Sequence, residues 1–257
     1  MRERWAAGEA ALGGWLAIPS SFSAEIVARC DLDYVCVDTQ HGLVDYSDSW
    51  PMLQAVNLGS ATPLVRVPWN EPGIIGKSLD AGARGIIVPM VNTRAQAEAA
   101  VAACRYAPEG GRSYGPARVV RQEGSDYYAH ANADVAVIPM IETVEALTNL
   151  DDILSVPGVD AAYVGPSDLS VSLGLPPGNN DGEAAFDEAL AAIAAGCVRH
   201  GVIAGCHTVS ELCPRRIEQG FRMITITSDT TALARALEDE LRRARGQEPV
   251  VRSGSMY

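Results

Sequence analysis

Eight short runs rich in Val and Ile recur along the 257-residue chain, and their order constrains its fold more than any other feature. They are GGWLAIP (13–19), YVCVD (34–38), PLVRVP (63–68), GIIVPM (85–90), DVAVIPMIE (134–142), AAYVGP (161–166), VIAGCH (202–207) and MITITS (223–228). Each has strand length and is bounded by Gly, Pro or Asp, which reads as a strand buried on both faces. Between them, TRAQAEAAVAACRYA, TVEALTNLDDIL, EAAFDEALAAIAAGCVRH and DTTALARALEDELRRAR repeat apolar residues every three or four positions, the period of an amphipathic helix. Most run starts are about 20 to 30 residues apart, and the wider gaps hold a Gly/Pro/Arg-rich loop at 107–133 and extra residues at 169–183. Eight β/α units in one domain over residues 1–245 predict an α/β fold, a TIM (β/α)8 barrel. A doubly wound open sheet competes with it, but no G-x-G-x-x-G follows the first run and no composition break divides the chain. The polar tail at 246–257 has two readings, a disordered end or an arm reaching a neighbouring subunit.

Charge and composition narrow the partners. With 20 Lys and Arg against 32 Asp and Glu, the net charge of −12 opposes attraction to a nucleic-acid backbone, so no such partner is expected. No apolar run approaches the roughly 18 to 20 residues that cross a bilayer, so no membrane partner is expected either. Glu9 and two glycines interrupt any signal-peptide core near the start, which reads as cytoplasmic. Six cysteines without a C-x-x-C read as buried free thiols in a reducing compartment. Lys77 is the only lysine, so Schiff-base chemistry would have to use it, and it lies in a segment expected to face away from the barrel mouth.

In a barrel of this kind the active site forms at the C-terminal ends of the strands, so the polar residues there are the informative ones. The second run ends in Asp38-Thr39-Gln40-His41-Gly42, the third contains Arg66, the fifth ends in Glu142, and the sixth runs into Gly165-Pro166-Ser167-Asp168. Glu142 and Asp168 end neighbouring strands and are predicted to converge; two like charges need a cation, and carboxylates favour Mg²⁺, Mn²⁺ or Co²⁺ over a closed zinc site. The plainer alternative is that each acid caps the helix after it. Arg66, in an apolar strand, needs an anionic partner, either a barrel acid or a substrate carboxylate or developing negative charge. His41, three residues after Asp38, pairs with it as a general base if the turn brings them together, or is simply a loop residue. His207 ends the seventh run and reads more readily as structural. Backbone N–H groups opening a helix at Gly165 to Asp168 suit an anionic carboxylate.

Several of these motifs, in order from about Trp15 to Leu241, resemble the class II pyruvate aldolases of the HpcH/HpaI group, a family that includes 4-hydroxy-2-oxoheptanedioate and 2-keto-3-deoxy-sugar-acid aldolases. They are VDTQHGLVDY (37–46), PLVRVPWNEP (63–72), LDAGARGIIVPMVNT (79–93), RYAPEGGRSYGPAR (105–118), PMIETVEALTNLDDIL (139–154) and GVDAAYVGPSDLSVSLG (158–174). The resemblance implies a divalent metal held by Glu142 and Asp168 and chelated by pyruvate. It puts Arg66 against the keto oxygen, and makes His41, oriented by Asp38, a base working with a metal-activated water. The backbone from Gly165 to Asp168 would hold the pyruvate carboxylate. The reaction implied is reversible retro-aldol cleavage of a 4-hydroxy-2-oxo acid to pyruvate and an aldehyde, in a homo-oligomer, a hexamer built as a trimer of dimers that exchange C-terminal elements. Two departures touch the site: members often carry Glu before the histidine and Gln two residues before the metal-binding Glu, where this chain has Gln40 and Met140. Arg112, Arg118 and Arg121 read as contacts to an anionic aldehyde or a neighbouring subunit, or as solvated side chains. The alternatives are an acyl-CoA lyase of the malyl-CoA or citramalyl-CoA type and a non-catalytic barrel that binds a metal and a keto acid.

Overall fold

The computed structural model of the chain describes residues 1–247. Of the 246–257 tail with the proposed arm, residues 248–257 lie outside the described residues. The strands are β1 (Ala11–Leu16), β2 (Tyr34–Asp38), β3 (Thr62–Arg66), β4 (Gly85–Val88), β5 (Ala136–Pro139), β6 (Ala161–Val164), β7 (Ile203–His207) and β8 (Met223–Ser228). All neighbours pair in parallel in the order β5-β4-β3-β2-β1-β8-β7-β6. The two edges meet where Met140 bridges Tyr163 and the Ile141 N–H donates to the Tyr163 carbonyl at 2.9 Å, which closes the predicted barrel.

Helices fill the intervals with some differences from the periodicity. The 107–133 segment, expected as a loop, carries helices at Val119–Glu123 and Tyr127–Asp134. The single pattern at 143–154 is two helices, Val144–Thr148 and Leu150–Leu154, interrupted at Asn149, whose side-chain amide donates to the Asn92 carbonyl. That tertiary bond outweighs the local helical preference. Among the described residues no helix is long and apolar enough to cross a membrane.

Strand side chains alternate between two apolar regions. Val35, Val37, Val65, Ile86, Val88, Val137 and Val164 point outward into the layer beneath the helices. Trp15, Tyr34, Cys36, Leu64, Ile87, Ile138, Tyr163 and Met223 point inward and fill the lumen. Two tyrosines fit there because two facing positions lack side chains: a Cβ at Gly13 would overlap the Tyr34 ring, and one at Gly205 would come within 2.8 Å of the Tyr163 ring. Both hydroxyls reach Thr225 Oγ1, at 2.9 Å from Tyr34 and 2.5 Å from Tyr163, so neither buried O–H is left unpaired. At the N-terminal end of the strands, the helix Arg2–Ala6 lays Met1 and Trp5 against the lumen residues. Asp160 ties that end together by accepting from Arg2, Arg105 and the Val137 N–H at 2.9, 3.2 and 2.9 Å. The barrel is plugged there, and its accessible cavity lies at the opposite end.

Candidate active site

A cavity of about 550 Å³ opens at the C-terminal ends of the strands, and its floor is the last inward-facing residue of several strands. β1 contributes Trp15, β2 Asp38, β3 Arg66, β6 Tyr163 and β7 His207, with Met140 and Gly165 just beyond β5 and β6.

Arg66 and Asp38 face each other across paired strands, in register at the ends of β3 and β2. Nε of Arg66 donates to Asp38 Oδ1 at 2.8 Å and Nη2 to Oδ2 at 2.7 Å, a bidentate pair with both residues buried. Burial disfavours the charge on each, yet the pairing outweighs it: Asp38 is held below the usual carboxylate range and Arg66 above the usual guanidinium range. The guanidinium also lies over the Trp15 indole, 4.4 Å from its centroid. Arg66 is therefore fixed from the side and from below. The internal salt bridge read from the sequence is present, and Arg66 also lines the cavity.

Asp38 Oδ1 also accepts from the backbone N–H of Gln40 at 3.1 Å and of His41 at 3.3 Å, which shapes the turn after β2. The imidazole of His41 is exposed at the mouth and lines the cavity, with no hydrogen bond to its ring among the described residues. Asp38 thus orients Arg66 and the turn, and touches His41 through its backbone. The structure does not bring the carboxylate to the imidazole as the spacing suggested. The substituted Gln40 keeps its Oε1 buried without a hydrogen-bond partner.

Glu142 is 1% exposed. Its Oε1 accepts the Met90 N–H at 2.7 Å, a bond made possible by the left-handed turn at Met90 (φ 55°) after β4. Its Oε2 is buried without a partner. Burial raises the carboxyl to about 7, opposed by the Met90 bond and Arg66 and reinforced by the charge of Asp168. The space before Oε2 exists because residue 165 is glycine, where a Cβ would overlap that oxygen and crowd the Met140 methyl. Neither acid caps a helix. Thr143 caps the helix after Glu142, accepting from the Ala146 N–H at 3.0 Å. Asp168 is the third residue of the helix Pro166–Ser172, which follows Gly165 with no side-chain cap.

These residues fit a hard divalent cation. A buried carboxylate oxygen without a donor, beside a second carboxylate, lacks the positive charge that would let both acids ionise. Among the described residues no group of three or more His, Cys, Asp or Glu gathers, so a cation here would have Glu142 and Asp168 as its protein donors and would need water or substrate oxygens for the rest of its shell. In the first helical turn the N–H groups of Ser167 and Asp168 have no carbonyl one turn earlier, and Ser167 Oγ is also buried without a partner.

Other sequence candidates fall elsewhere. Lys77 is exposed on the helix Pro72–Asp80, 5.1 Å from the Tyr46 ring centroid, and does not line the cavity. Arg112 donates to Asp80 and to the Tyr127 hydroxyl and stacks on Tyr106, and Arg118 donates to the Ala81 carbonyl. Both pin the long segment at the plugged end of the barrel, away from an aldehyde in the cavity, and Arg121 is exposed. Sequence reasoning missed Trp15, Met90 and Asp229, whose carboxylate accepts the Ala17 and Ile18 N–H groups at 2.9 and 3.1 Å and fixes the loop after β1. The signal for Trp15 was its place on the same inward alternation as Gly13; Met90 and Asp229 act through backbone contacts that no pattern announces.

The HpcH/HpaI aldolase/citrate lyase profile matches residues 12–236. A hydroxypyruvate/pyruvate aldolase of Rhizorhabdus wittichii is 42% identical over 250 residues, covering 95% of this chain and 98% of that one. A 4-hydroxy-2-oxo-heptane-1,7-dioate aldolase of Escherichia coli is 35% identical over 253 residues, covering 96% and 95%. The crystal structure of a family protein from Burkholderia cenocepacia superposes with a TM-score of 0.86 at 32% identity, covering 93% and 95%. The profile spanning the barrel and relatives matched end to end agree: the chain belongs to the HpcH/HpaI aldolase/citrate lyase family.

Proposed function

We propose that this chain is a class II pyruvate aldolase, a carbon–carbon lyase that reversibly cleaves a 4-hydroxy-2-oxo acid into pyruvate and an aldehyde. The observation that carries this reading is the unpartnered, buried Oε2 of Glu142, whose carboxyl feels the charges of Asp168 and of an Arg66 locked in place by Asp38. When bound to Glu142 and Asp168, Mg²⁺, Mn²⁺ or Co²⁺ supplies Lewis-acid stabilisation of the enolate charge.

The chain's own residues do the rest. Arg66 has Nε and Nη2 on Asp38, leaving Nη1 to donate to the 2-oxo oxygen as negative charge grows there, a preorganised contact worth roughly 3 kcal/mol in the transition state. The N–H groups of Ser167 and Asp168 bind the carboxylate, with Gly165 and Pro166 setting the turn. His41 at the mouth takes part in removing the C4 hydroxyl proton. The C3–C4 bond then breaks, its electron pair collects on the C2 oxygen as the pyruvate enolate, and C3 is protonated. Lys77 stands outside the cavity, so its amine has no route to an imine with the substrate.

An acyl-CoA substrate has less support, since the cavity brings together Arg66, His41 and His207 but no basic cluster for CoA phosphates. A homo-oligomer is supported by the helix Asp229–Ala244, which exposes Leu233, Leu237 and Leu241 in one stripe and has Asp229 as its buried residue. That stripe suits a subunit contact of a trimer of dimers. A cytoplasmic location is supported by six free cysteines, five of them buried.

Treatment with a chelator is expected to abolish both pyruvate release and exchange of pyruvate methyl protons into D₂O, with recovery on adding Mg²⁺, Mn²⁺ or Co²⁺. Full activity in chelator overturns the reading. Pyruvate binding by calorimetry without exchange or cleavage identifies a keto-acid-binding barrel instead.

A further inference from the structure

Asp168 lines the cavity at its exposed rim, and among the described residues nothing donates a hydrogen bond to its carboxylate. Its place is therefore set by the helix that carries it, Pro166–Ser172, whose seven residues are too few to hold a helix by themselves. Packing of Leu169 into the core fixes one face of that helix. At its end, Ser172 Oγ accepts the N–H of Val144, two residues after Glu142, at 2.8 Å, so the segments carrying the two acids are joined directly.

Ser170, fully buried on the same helix, leads further from the site. Its Oγ donates to the Gly178 carbonyl at 2.9 Å and accepts from Asn180 Nδ2 at 2.8 Å, and its own carbonyl accepts the Leu175 N–H at 2.8 Å. These partners belong to the extra residues between β6 and β7, to which the reaction above gives no part. The loop is gripped from outside by Arg216, on the helix Cys213–Glu218 between β7 and β8. Its Nη1 donates to Asp181 Oδ1 at 2.7 Å, and its Nη2 to Asp181 Oδ2 at 2.8 Å and to Asn179 Oδ1 at 3.1 Å. Arg216 is 1% exposed and does not line the cavity. Burying a guanidinium is costly even when it is paired, and a loop that merely connects two helices over the surface has no need of one. The fork fixes residues 179 and 181 together, which leaves Asn180 between them with its amide on Ser170.

We propose that Arg216 is a positioning residue of the active site: through the loop at 178–181 and Ser170 it holds the Asp168 helix in place, and so keeps the second carboxylate where a cation on Glu142 can reach it. The proposal rests on the metal-dependent aldolase reading. Glu142 is held separately, by the Met90 N–H, so slackening the loop moves one acid of the pair and not the other. A shift of that kind weakens cation binding while the barrel core stays intact.

The test measures Mn²⁺ binding to the substrate-free protein by calorimetry, beside thermal unfolding in chelator. Ser170→Ala removes both side-chain bonds without stranding a charge, and Arg216→Lys keeps the charge but loses the fork; each is expected to weaken Mn²⁺ binding about tenfold. Arg2→Ala cuts the ties to Asp160 and to the Asp134 and Val135 carbonyls at the plugged end. It is expected to lower the unfolding temperature and to leave Mn²⁺ affinity within about twofold of wild type. Affinity within about twofold of wild type in Ser170→Ala or in folded Arg216→Lys, or an equal loss in Arg2→Ala, overturns the proposal and leaves the aldolase reading intact. Should Arg216→Lys fail to fold, Ser170→Ala decides alone. A wild type that binds no Mn²⁺ overturns the metal-dependent reading and the proposal with it.

Discussion

Asp38 shows how much one side chain holds at this site. It neutralises Arg66, aims it and shapes the turn that carries His41. Asp38→Ala leaves a buried guanidinium without its partner, so the expected loss of stability is about 3–5 kcal/mol, read by denaturant unfolding. The remaining folded enzyme is expected to lose about 100-fold in kcat through misplacement of Arg66, read by pyruvate release. A second residue-scale consequence concerns acid. The unfolded chain protonates His207 near its ordinary value of about 6.5, while burial in the folded protein keeps it neutral down to about 4. Its contribution is present above pH 6.5 and is lost as pH falls to 4. Glu142, raised to about 7, has the opposite sign in metal-free protein: its contribution is present below its ordinary value and is lost as pH rises through 7. Thermal unfolding in chelator across pH 4–7 is therefore expected to fall less steeply on the acid side in His207→Leu than in wild type. Parallel curves for the two proteins would contradict the assignment.

At the scale of elements, the strand-to-helix turn at Gly165 is the tightest point. Its missing Cβ gives Glu142 Oε2 its space and lets the Met140 methyl approach. Gly165→Ala is expected to push the carboxylate aside and weaken Mn²⁺ affinity about 10- to 100-fold, measured by calorimetry, with the barrel still folded. The strands were legible because buried β runs have a composition helices lack: YVCVD and MITITS are the observed β2 and β8. The DVAVIPMIE run was read too long, since Asp134 closes the helix before it and Met140 leaves the ladder to bridge Tyr163. The helix break at Asn149 and the two helices within 107–133 escaped notice because partners far along the chain fix them. Among the site residues, position after a strand exposed Glu142, Asp168 and the Gly165 turn. The inward alternation that makes Trp15 a floor residue carries no polar mark, and the pairing of Asp38 with Arg66 needed the β2–β3 register.

For the whole molecule, the helix Asp229–Ala244 presents Leu233, Leu237 and Leu241 at 54, 63 and 49% exposure, an apolar stripe with nothing of this chain over it among the described residues. Burying each leucine against another subunit contributes about 1.5–3 kcal/mol. Leu237→Glu is expected to shift the protein to a smaller species in analytical ultracentrifugation, while an unchanged sedimentation coefficient would move the interface elsewhere. The two apolar regions of the barrel have a different kind of consequence. The floor residues of the reaction chamber lie on the inward alternation of the strands, while the larger buried apolar layer lies on the outward one. Directed evolution can therefore harden this catalyst through its periphery and retune its appetite through its hollow, two campaigns that draw on separate positions of the same strands.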